Sequence, residues 1–332
     1  MKQNIIIIGA GLSGLYLAYL LQEKYKVTIL EARERIGGRI HSIDNHDMGP
    51  SWIWPHQTHI LELVEELDLD LFSQYTHGNA LYDTKASLQR FTPQASSSSY
   101  RMQGSLTQLV ETLYKSLKES DVIFSQDITK IIESEKNVEV ISTSKGYKAD
   151  YVISTLSPRL ASKLSYTPKL PNELLNRLQS TQTWMGHSAK CVIEFEESFW
   201  RKESLSGFVF SHLGPLGEIH DASTQDKAAL FGFVQANANM QTFEDDVKAQ
   251  VLRLFGSSTS NITAIYLVDW RKEQLSASKE DTKPLSTHPH YGIDTSNYSK
   301  RILFSSTEFS EYEGGYLEGA VIRANMIANT LL

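Results

Sequence analysis

The hydrophobic pattern of the first thirty residues predicts a strand, a glycine turn, a helix and a second strand. The run IIII at 5–8 is continuously apolar, which is typical of a strand buried on both faces. An apolar helix follows in LYLAYLL, and the second strand is predicted at 27–30. Strand, crossover helix and strand form a βαβ unit, the usual start of a doubly wound parallel sheet.

Apolar spacing predicts further helices and short strands along the rest of the chain. Ile60, Val64 and Leu67 share one helical stripe, and we expect Ser105 to cap the next helix. Strands are predicted at 121–124, 128–133, 137–142, 151–154, 187–196, 206–211, 230–235 and 262–269, with a helix at 243–255. The serine run after Pro93 is predicted to be a loop, and the last segment a strand, a polar loop and a helix.

The pattern changes after Pro158, which predicts two domains with the chain returning to the first at its end. The predicted fold class is α/β (α+β overall), with a Rossmann-like nucleotide-binding domain and a discontinuous mixed-sheet substrate domain. The first domain is predicted to comprise 1–55, 100–157 and 285–332. The substrate domain is predicted to comprise 56–99 and 158–284.

Composition narrows the classes of function without choosing one. Among 332 residues, 41% are hydrophobic and 21% charged, as in folded globular proteins, so disorder is not expected. The net charge of −7 argues against a nucleic-acid partner, because phosphate binding needs a basic surface. No apolar run reaches membrane-spanning length, and the single cysteine allows no internal disulfide. We therefore expect no membrane association and a cytoplasmic location.

Gly9, Gly11 and Gly14 form G-x-G-x-x-G between the first strand and the helix. This motif lets the backbone approach a pyrophosphate, which then lies at a helix N-terminus that favours negative charge. Glu31 ends the second strand, where its carboxylate can accept hydrogen bonds from ribose hydroxyls. A lone motif could also be a tight turn that binds nothing. The matching strand, helix and Glu31 favour a dinucleotide, either NAD or FAD.

The strand at 187–196 contains a lysine whose side chain the pattern alone places in water. Alternation puts Cys191 on one face, and Lys190 and Glu194 on the other. Lysine is rarely buried, so a half-buried sheet with a solvated Lys190 is the simpler interpretation.

Three motifs lie toward the two ends of the chain: EARERIGGR at 31–39, DMGPSWIWP at 47–55, and TE followed by GGYLEGAV at 307–321. These motifs resemble the flavin-containing amine oxidase family, which includes monoamine and polyamine oxidases. In the middle, MGHSAKCVIEFEESFW and DWRKEQLS resemble two family segments that face the flavin. The resemblance favours FAD over NAD. It implies a shortened member, because most of the family's helical insertion between 56 and 100 is missing.

The glycine turn and the resemblance together predict the residues of an FAD site. The predicted cofactor-binding residues are Gly9, Gly11, Ser13, Gly14, Glu31, Ala32, Arg33, Gly38, Arg39, Gly49, Pro50, Ser51, Trp52, Ile128, Glu308, Tyr316 and Leu317. The resemblance implies catalytic roles for Lys190, Trp270 and Tyr316. Lys190 falls on a lysine that holds a water at flavin N5, and Tyr316 on one of two tyrosines that flank the substrate amine. We predict no metal site.

The resemblance implies that the chain oxidises a small amine. Hydride transfer to flavin N5 would give an imine and then an aldehyde, and O₂ would take the electrons to form hydrogen peroxide. Because no cysteine lies around 276–291, FAD is expected to be non-covalent. Tyr291 is the candidate for the second flanking tyrosine, whereas His288 is expected to have no function. Two alternatives are an FAD-dependent desaturase or isomerase acting on C–C bonds, and a flavin-binding protein without amine turnover.

Overall fold

The computed structural model describes residues 1–93, 98–256, 262–285 and 287–332, so part of the predicted serine-rich loop falls outside the described residues. The strands are β1 (Asn4–Ile8), β2 (Lys26–Leu30), β3 (Ser42–Ile43), β4 (His46–Asp47), β5 (Leu71–Ser73), β6 (Asn79–Asp83), β7 (Leu88–Phe91), β8 (Tyr100–Met102), β9 (Asp121–Ile123), β10 (Ile128–Glu133), β11 (Val138–Ser142), β12 (Gly146–Ala149), β13 (Tyr151–Ser154), β14 (Ser165–Thr167), β15 (Ala189–Phe195), β16 (Leu205–Ser211), β17 (Leu216–Asp221), β18 (Ala228–Val234), β19 (Ile262–Asp269) and β20 (Ile302–Phe304). The helices are α1 (Leu12–Leu21), α2 (Thr58–Glu66), α3 (Thr107–Lys115), α4 (Pro158–Ala161), α5 (Asn172–Ser180), α6 (Phe199–Lys202), α7 (Phe243–Phe255) and α8 (Leu317–Leu331).

A five-stranded parallel sheet forms the centre of the nucleotide-binding region, in the order β20-β13-β1-β2-β9. Ile5 and Ile7 of β1 face a core made with α1, α3 and α8. Ile6 and Ile8 face a second core on the other side of the sheet. The continuously apolar run is explained by burial on both faces, and the predicted α/β class with a Rossmann-like unit is confirmed.

The order of the strands reverses at β1. The chain passes from β1 to β2 on one side, whereas β13 and β20 lie on the other. In open α/β sheets ligands bind at the carboxyl end of the strands where the order reverses. This point is the turn from Gly9 to Gly11, which joins β1 to α1.

A smaller four-stranded sheet, in the order β12-β11-β10-β14, contributes to the second core. β10, β11 and β12 form an antiparallel meander, in which the pattern did not reveal β12 as a separate strand, whereas the predicted strands at 121–124 and 151–154 belong to the five-stranded sheet. Ile128 begins β10 and is almost fully buried.

A third sheet has seven strands, in the order β19-β15-β18-β17-β16-β6-β7. One face of β15, with Cys191 and Ile193, packs against α7. The opposite face carries Val192, which packs with Met48 and Phe231. Both faces of β15 are therefore covered, so the solvated Lys190 that the alternation pattern alone favoured is wrong.

The expected capping of α3 by Ser105 is also wrong. Ser105 has a φ of +98°, and its hydroxyl bonds to Thr107 Oγ1 rather than to a backbone N–H of the helix. Asp47 takes the capping role, because its Oδ1 accepts the N–H of Leu106 at 2.8 Å. No helix in the described ranges is both long and apolar enough to cross a bilayer.

Candidate active site

A cavity of about 1480 Å³ extends from the carboxyl end of β1 to the face of the seven-stranded sheet that carries Val192. Small-ligand pockets usually measure about 300–1000 Å³, so this volume suits a ligand as large as a dinucleotide. The predicted residues that line it are Gly9, Gly11, Ser13, Glu31, Ala32, Arg33, Gly38, Arg39, Gly49, Pro50, Ser51, Trp52, Ile128, Lys190, Trp270, Tyr316 and Leu317. Two predicted residues do not line the cavity but contact residues that do: Gly14 packs against Gly9, and Glu308 pairs with Arg39.

The glycine turn brings backbone rather than side chains to the cavity. Gly9 has a φ of +106°, and a β-carbon there would lie 2.5 Å from Thr155 Oγ1. A β-carbon on Gly14 would lie 2.0 Å from the Gly9 carbonyl oxygen, so only glycine lets α1 pack this close. α1 begins after Gly11, and the first N–H groups of a helix have no partner within it. They are available to an anion such as pyrophosphate.

Glu31 is held rigidly at the end of β2. It is 4% exposed, and its Oε2 accepts the N–H of Ala10 at 2.7 Å while Oε1 accepts that of Arg33 at 2.9 Å. The carboxylate therefore joins the glycine turn to the segment after β2. Each of its oxygens has a second lone pair, as ribose recognition requires.

Arg39 and Glu308 form a forked ion pair beside the cavity. Arg39 Nη1 and Nη2 donate to Glu308 Oε1 and Oε2 at 2.6 and 3.3 Å, and Ser306 Oγ donates to Oε2 at 2.7 Å. Burial opposes the charge of Glu308, but the attraction and hydrogen bonds of Arg39 outweigh it, so the pKa of Glu308 is lowered. The pair fixes the Arg39 guanidinium at the wall of the cavity.

Lys190 is buried in the wall of the same cavity at 3% exposure. Its Nζ donates to Gly49 O at 3.0 Å and to Ser51 Oγ at 2.5 Å, and lies 4.2 Å from the centre of the Phe231 ring. Burial lowers the pKa of Lys190 to about 7; Asp47 opposes the shift and Arg101 adds to it. A buried amine that titrates near neutrality is typical of functional lysines.

Two further buried charges lie near Lys190. Asp47 Oδ2 and Arg101 Nε have no hydrogen-bond partner among the described residues. Burial raises the pKa of Asp47, although Arg101 and Lys190 oppose that rise. Arg101 Nη1 donates to Ser223 O at 3.1 Å. Asp47 thus accepts the N–H of Leu106 at the start of α3 and also favours the charged form of Lys190.

Trp270 and Tyr316 lie on different parts of the cavity wall. Trp270 Nε1 donates to Met48 O at 2.8 Å, which fixes the segment that contains Gly49 and Ser51 beneath the indole. Tyr316 directly precedes α8 and is 37% exposed, so its ring lies at the open part of the wall. The structure therefore brings all three predicted catalytic side chains to one cavity.

The surroundings of Tyr316 differ from the expectation. His288 stacks on Tyr316, with ring centres 5.3 Å apart and planes 3° apart, and also packs against Trp184 at 4.5 Å. Tyr291 lies behind Gly315, where its hydroxyl donates to Gln182 O at 2.8 Å. The aromatic neighbour of Tyr316 is thus the histidine for which we expected no function.

Several lining residues were not predicted from the sequence. They include Trp54, His56, Trp184, His187, Glu218, Phe231, Phe233 and Glu313. Trp54 lies within the motif at 47–55 and His56 follows it directly, so the motif and its next residue could have indicated both. Glu218 and Phe233 reach the cavity through strand pairing, which the sequence pattern does not reveal.

Comparison with known proteins agrees with a dinucleotide-binding oxidoreductase. Residues 7–67 match the NAD(P)-binding Rossmann-like domain, and residues 82–332, more than half of the chain, match the family "Flavin containing amine oxidoreductase". The chain belongs to this family of flavin-containing amine oxidoreductases. It is therefore an FAD-dependent oxidoreductase, as the resemblance predicted.

Curated relatives and solved structures agree with this assignment. Mouse amine oxidase [flavin-containing] B is 23% identical over 453 aligned positions that cover 100% of this chain and 86% of the relative. Putrescine oxidase with bound putrescine has a TM-score of 0.83 at 19% identity, covering 100% and 99% of the two chains. Cyclohexylamine oxidase from Brevibacterium oxydans has a TM-score of 0.84 at 18% identity and covers all of both chains. The excess of aligned positions over the 332 residues confirms a shortened member.

The residues of the cavity fit FAD. The glycine turn supplies free backbone N–H groups for the pyrophosphate, and Glu31 supplies carboxylate oxygens for a ribose. Lys190 supplies a buried donor to the wall of the same cavity. Cys191 faces the core against α7, and its burial raises the pKa of the thiol.

Proposed function

We propose that this chain oxidises a small amine to an imine, which hydrolyses to an aldehyde, with O₂ as electron acceptor and hydrogen peroxide as product. The observation that carries the proposal is Lys190. Its buried amine projects into the cavity wall between Gly49 and Phe231, where a solvated surface lysine was the simpler expectation. In the family that the chain resembles, a lysine at this position holds a water at the flavin.

Bound FAD would supply the acceptor for the hydride removed from the carbon next to the amine. The remaining work belongs to the protein. The start of α1 and Glu31 would hold the dinucleotide, with Arg39 contributing positive charge near it. Lys190, with a pKa of about 7, can hold a water or a proton at Nζ. We propose non-covalent FAD, because Cys191 faces away from the cavity.

Trp270 and Tyr316 would shape the place of the substrate. Trp270 is nearly buried and keeps the wall apolar, which favours a neutral amine over its ammonium form. Tyr316 lies at the open part of the wall, with one face of its ring stacked on His288. Its pKa is raised, first by burial and then by Glu313, so the phenol stays neutral.

The two alternatives make different demands on this site. A desaturase or isomerase acting on C–C bonds would share the nucleotide-binding motifs but would not call for the buried amine of Lys190. A flavin-binding protein without turnover would not need an open cavity beyond the nucleotide. The position of Lys190 in a cavity that reaches Tyr316 supports the amine oxidase proposal over both.

We further propose the two-domain division expected from the sequence. All strands of the five-stranded sheet fall within 1–55, 100–157 and 285–332, the proposed FAD-binding domain. All strands of the seven-stranded sheet fall within 56–99 and 158–284, the proposed substrate domain. A cytoplasmic location is part of the same proposal.

The direct test is a panel of small primary amines given to the flavin-loaded protein. Peroxide formation is followed in air, and loss of the oxidised-flavin absorption is followed without O₂. We expect at least one amine to bleach the flavin and to yield peroxide in air. Bleaching without peroxide would refute O₂ as acceptor alone. A protein that binds FAD but is bleached by no amine would support the binding-only alternative.

A further inference from the structure

Four aromatic side chains from three separate segments pack together beside the open part of the cavity. They are Trp184 after α5, His288 and Tyr291 before β20, and Tyr316 directly before α8. The ring centre of His288 is 4.5 Å from that of Trp184 and 5.3 Å from those of Tyr291 and Tyr316. Of these three pairs, the one with Tyr316 is a parallel stack, with ring planes 3° apart. The imidazole therefore joins Tyr316 to the other rings.

Gly315 makes room for these rings next to Tyr316. Its φ is +88°, and a β-carbon there would lie 2.9 Å from Trp184 Cβ, 3.1 Å from Tyr291 Cε2 and 3.3 Å from His288 Nε2. A side chain at this position would be strained by the positive φ and would displace the rings. The backbone before α8 thus lies directly against the imidazole.

The side chain of Tyr316 is restrained less than its backbone. The backbone N–H donates to Glu313 O at 3.1 Å, and the carbonyl oxygen accepts from Thr307 Oγ1 at 2.7 Å. The hydroxyl, in contrast, has no hydrogen-bond partner among the described residues, and the residue is 37% exposed. Within the described ranges, the ring that packs against the phenol is that of His288. The plane of the phenol ring therefore depends on the stack with the imidazole.

The stack also determines which face of Tyr316 is available to a ligand. Tyr316 lines the cavity, whereas His288 does not. The imidazole covers one face of the phenol ring, so the opposite face is the one that a ligand in the cavity can meet. Exposed side chains without such a contact exchange rotamers rapidly, so without the imidazole the ring would leave this orientation.

We propose that His288 is a positioning residue for amine oxidation, whose stacked imidazole holds the free face of Tyr316 toward the reacting amine. This inference rests on the proposed function, which gives Tyr316 its place beside the substrate. His288 acts through Tyr316 and does not itself touch the amine. Reaction requires the amine to be held in a narrow range of positions and angles, so a mobile wall lowers the rate.

The activity test compares His288→Ala with His288→Phe, which replaces the imidazole by another flat ring. Flavin reduction by 1-butylamine, benzylamine and any other amine that bleaches the wild type is measured without O₂, and reoxidation by O₂ is measured separately. We expect His288→Ala to slow reduction and lower kcat/KM about three- to tenfold, as for the loss of one aromatic pair, with reoxidation unchanged. His288→Phe should stay within about twofold of the wild type. His290→Ala, at an exposed histidine of the same segment, is the matched control and should change neither rate.

A double-mutant cycle shows whether the effect of His288 passes through Tyr316. Tyr316→Leu removes the stacking partner and keeps an apolar side chain. In that background His288→Ala should cause no further loss in kcat/KM, whereas two independent effects would add. A merely structural role of His288 would instead lower the flavin content or the melting temperature and would slow both half-reactions.

The orientation of Tyr316 can also be followed without turnover, by NMR of protein that contains isotope-labelled tyrosine. Comparison with Tyr316→Leu assigns the ring signal of Tyr316. We expect His288→Ala to move this signal toward that of a tyrosine in water, because the neighbouring ring is lost. His288→Phe should keep the signal displaced, since it restores a stacked ring.

Each outcome supports or overturns the inference. Wild-type reduction rates in His288→Ala, or an equal loss in the Tyr316→Leu background, would overturn it while amine oxidation stands. An unmoved Tyr316 signal in His288→Ala, or no rescue by His288→Phe, would do the same. If no amine bleaches the wild-type flavin, the proposed function fails, and the inference fails with it even where the signal moves.

Discussion

Replacing Lys190 by methionine removes a buried polar head and keeps the volume of its stem. The variant loses the donor to Gly49 O and Ser51 Oγ and the contact with the Phe231 ring. FAD should still bind, because the glycine turn and Arg39 are untouched. We expect flavin reduction or reoxidation to slow by about tenfold or more, which corresponds to about 1.4 kcal/mol of barrier.

The same change has a predicted signature in stability. The pKa of Lys190 is about 7 in the folded chain, whereas an unfolded lysine titrates near 10.4. Between these pH values the unfolded chain binds more protons, so the stability of the wild type rises with pH across this window. Below pH 7 the folded chain must bury the ammonium, at a cost on the order of 5 kcal/mol. The methionine variant has no such cost.

The assays are stopped-flow absorption for each flavin half-reaction and thermal unfolding at pH 6, 7.5 and 9. Relative to the wild type, Lys190→Met should be most stabilised at pH 6, and its advantage should shrink toward pH 9. Lys148→Met, at an exposed position of β12, provides the matched control and should change neither rates nor pH dependence. Wild-type rates in both half-reactions of Lys190→Met would refute the reasoning, and the lysine would then be only structural.

Glu308→Gln leaves the Arg39 guanidinium without its charged partner. We expect the free energy of unfolding to fall by about 3–5 kcal/mol and the protein to bind less FAD. An unchanged melting temperature and flavin content would contradict this. In the wild type, the stabilising charge of Glu308, whose pKa is lowered, should be lost only as the pH falls through that lowered value. Gly14→Ala should abolish FAD binding, whereas Gly146→Ala, which meets only the flexible Glu139 side chain, should not; fluorescence of released flavin measures both. Free α-amino acids should be oxidised at least about tenfold more slowly than their decarboxylated amines, because Trp52 of the lining offers no charge to pair with a substrate carboxylate. The reverse order of initial rates would contradict this prediction.

Local patterns allowed the nucleotide-binding half of the site to be predicted. β1, the glycine turn, α1 and Glu31 are consecutive in the chain, so spacing alone placed them correctly. The start of α3 was predicted incorrectly because its capping acceptor, Asp47, lies 59 residues from Leu106 along the chain. A cap supplied from a distant segment leaves no local signal.

The substrate half depended on contacts between distant strands. Alternation correctly separated Cys191 from Lys190, but it could not show that both faces of β15 are buried. The segment containing Gly49 covers the second face, and it lies 141 residues from Lys190 along the chain. Glu218 was missed because its place relative to Lys190 depends on the register of β17 with β18 and of β18 with β15.

The late position of β20 also has a consequence for how the protein is made. The sheet that begins with β1 at residues 4–8 receives its last strand only at residues 302–304, and α8 then packs against α1. Contacts of such long sequence separation form slowly, because the loop between them must close first. During synthesis the ribosome therefore holds a chain whose β13 edge and α1 surface stay exposed and prone to aggregation. Chaperones that shield this surface should raise the yield of the flavin-loaded protein, and a chain cut before residue 302 should yield none.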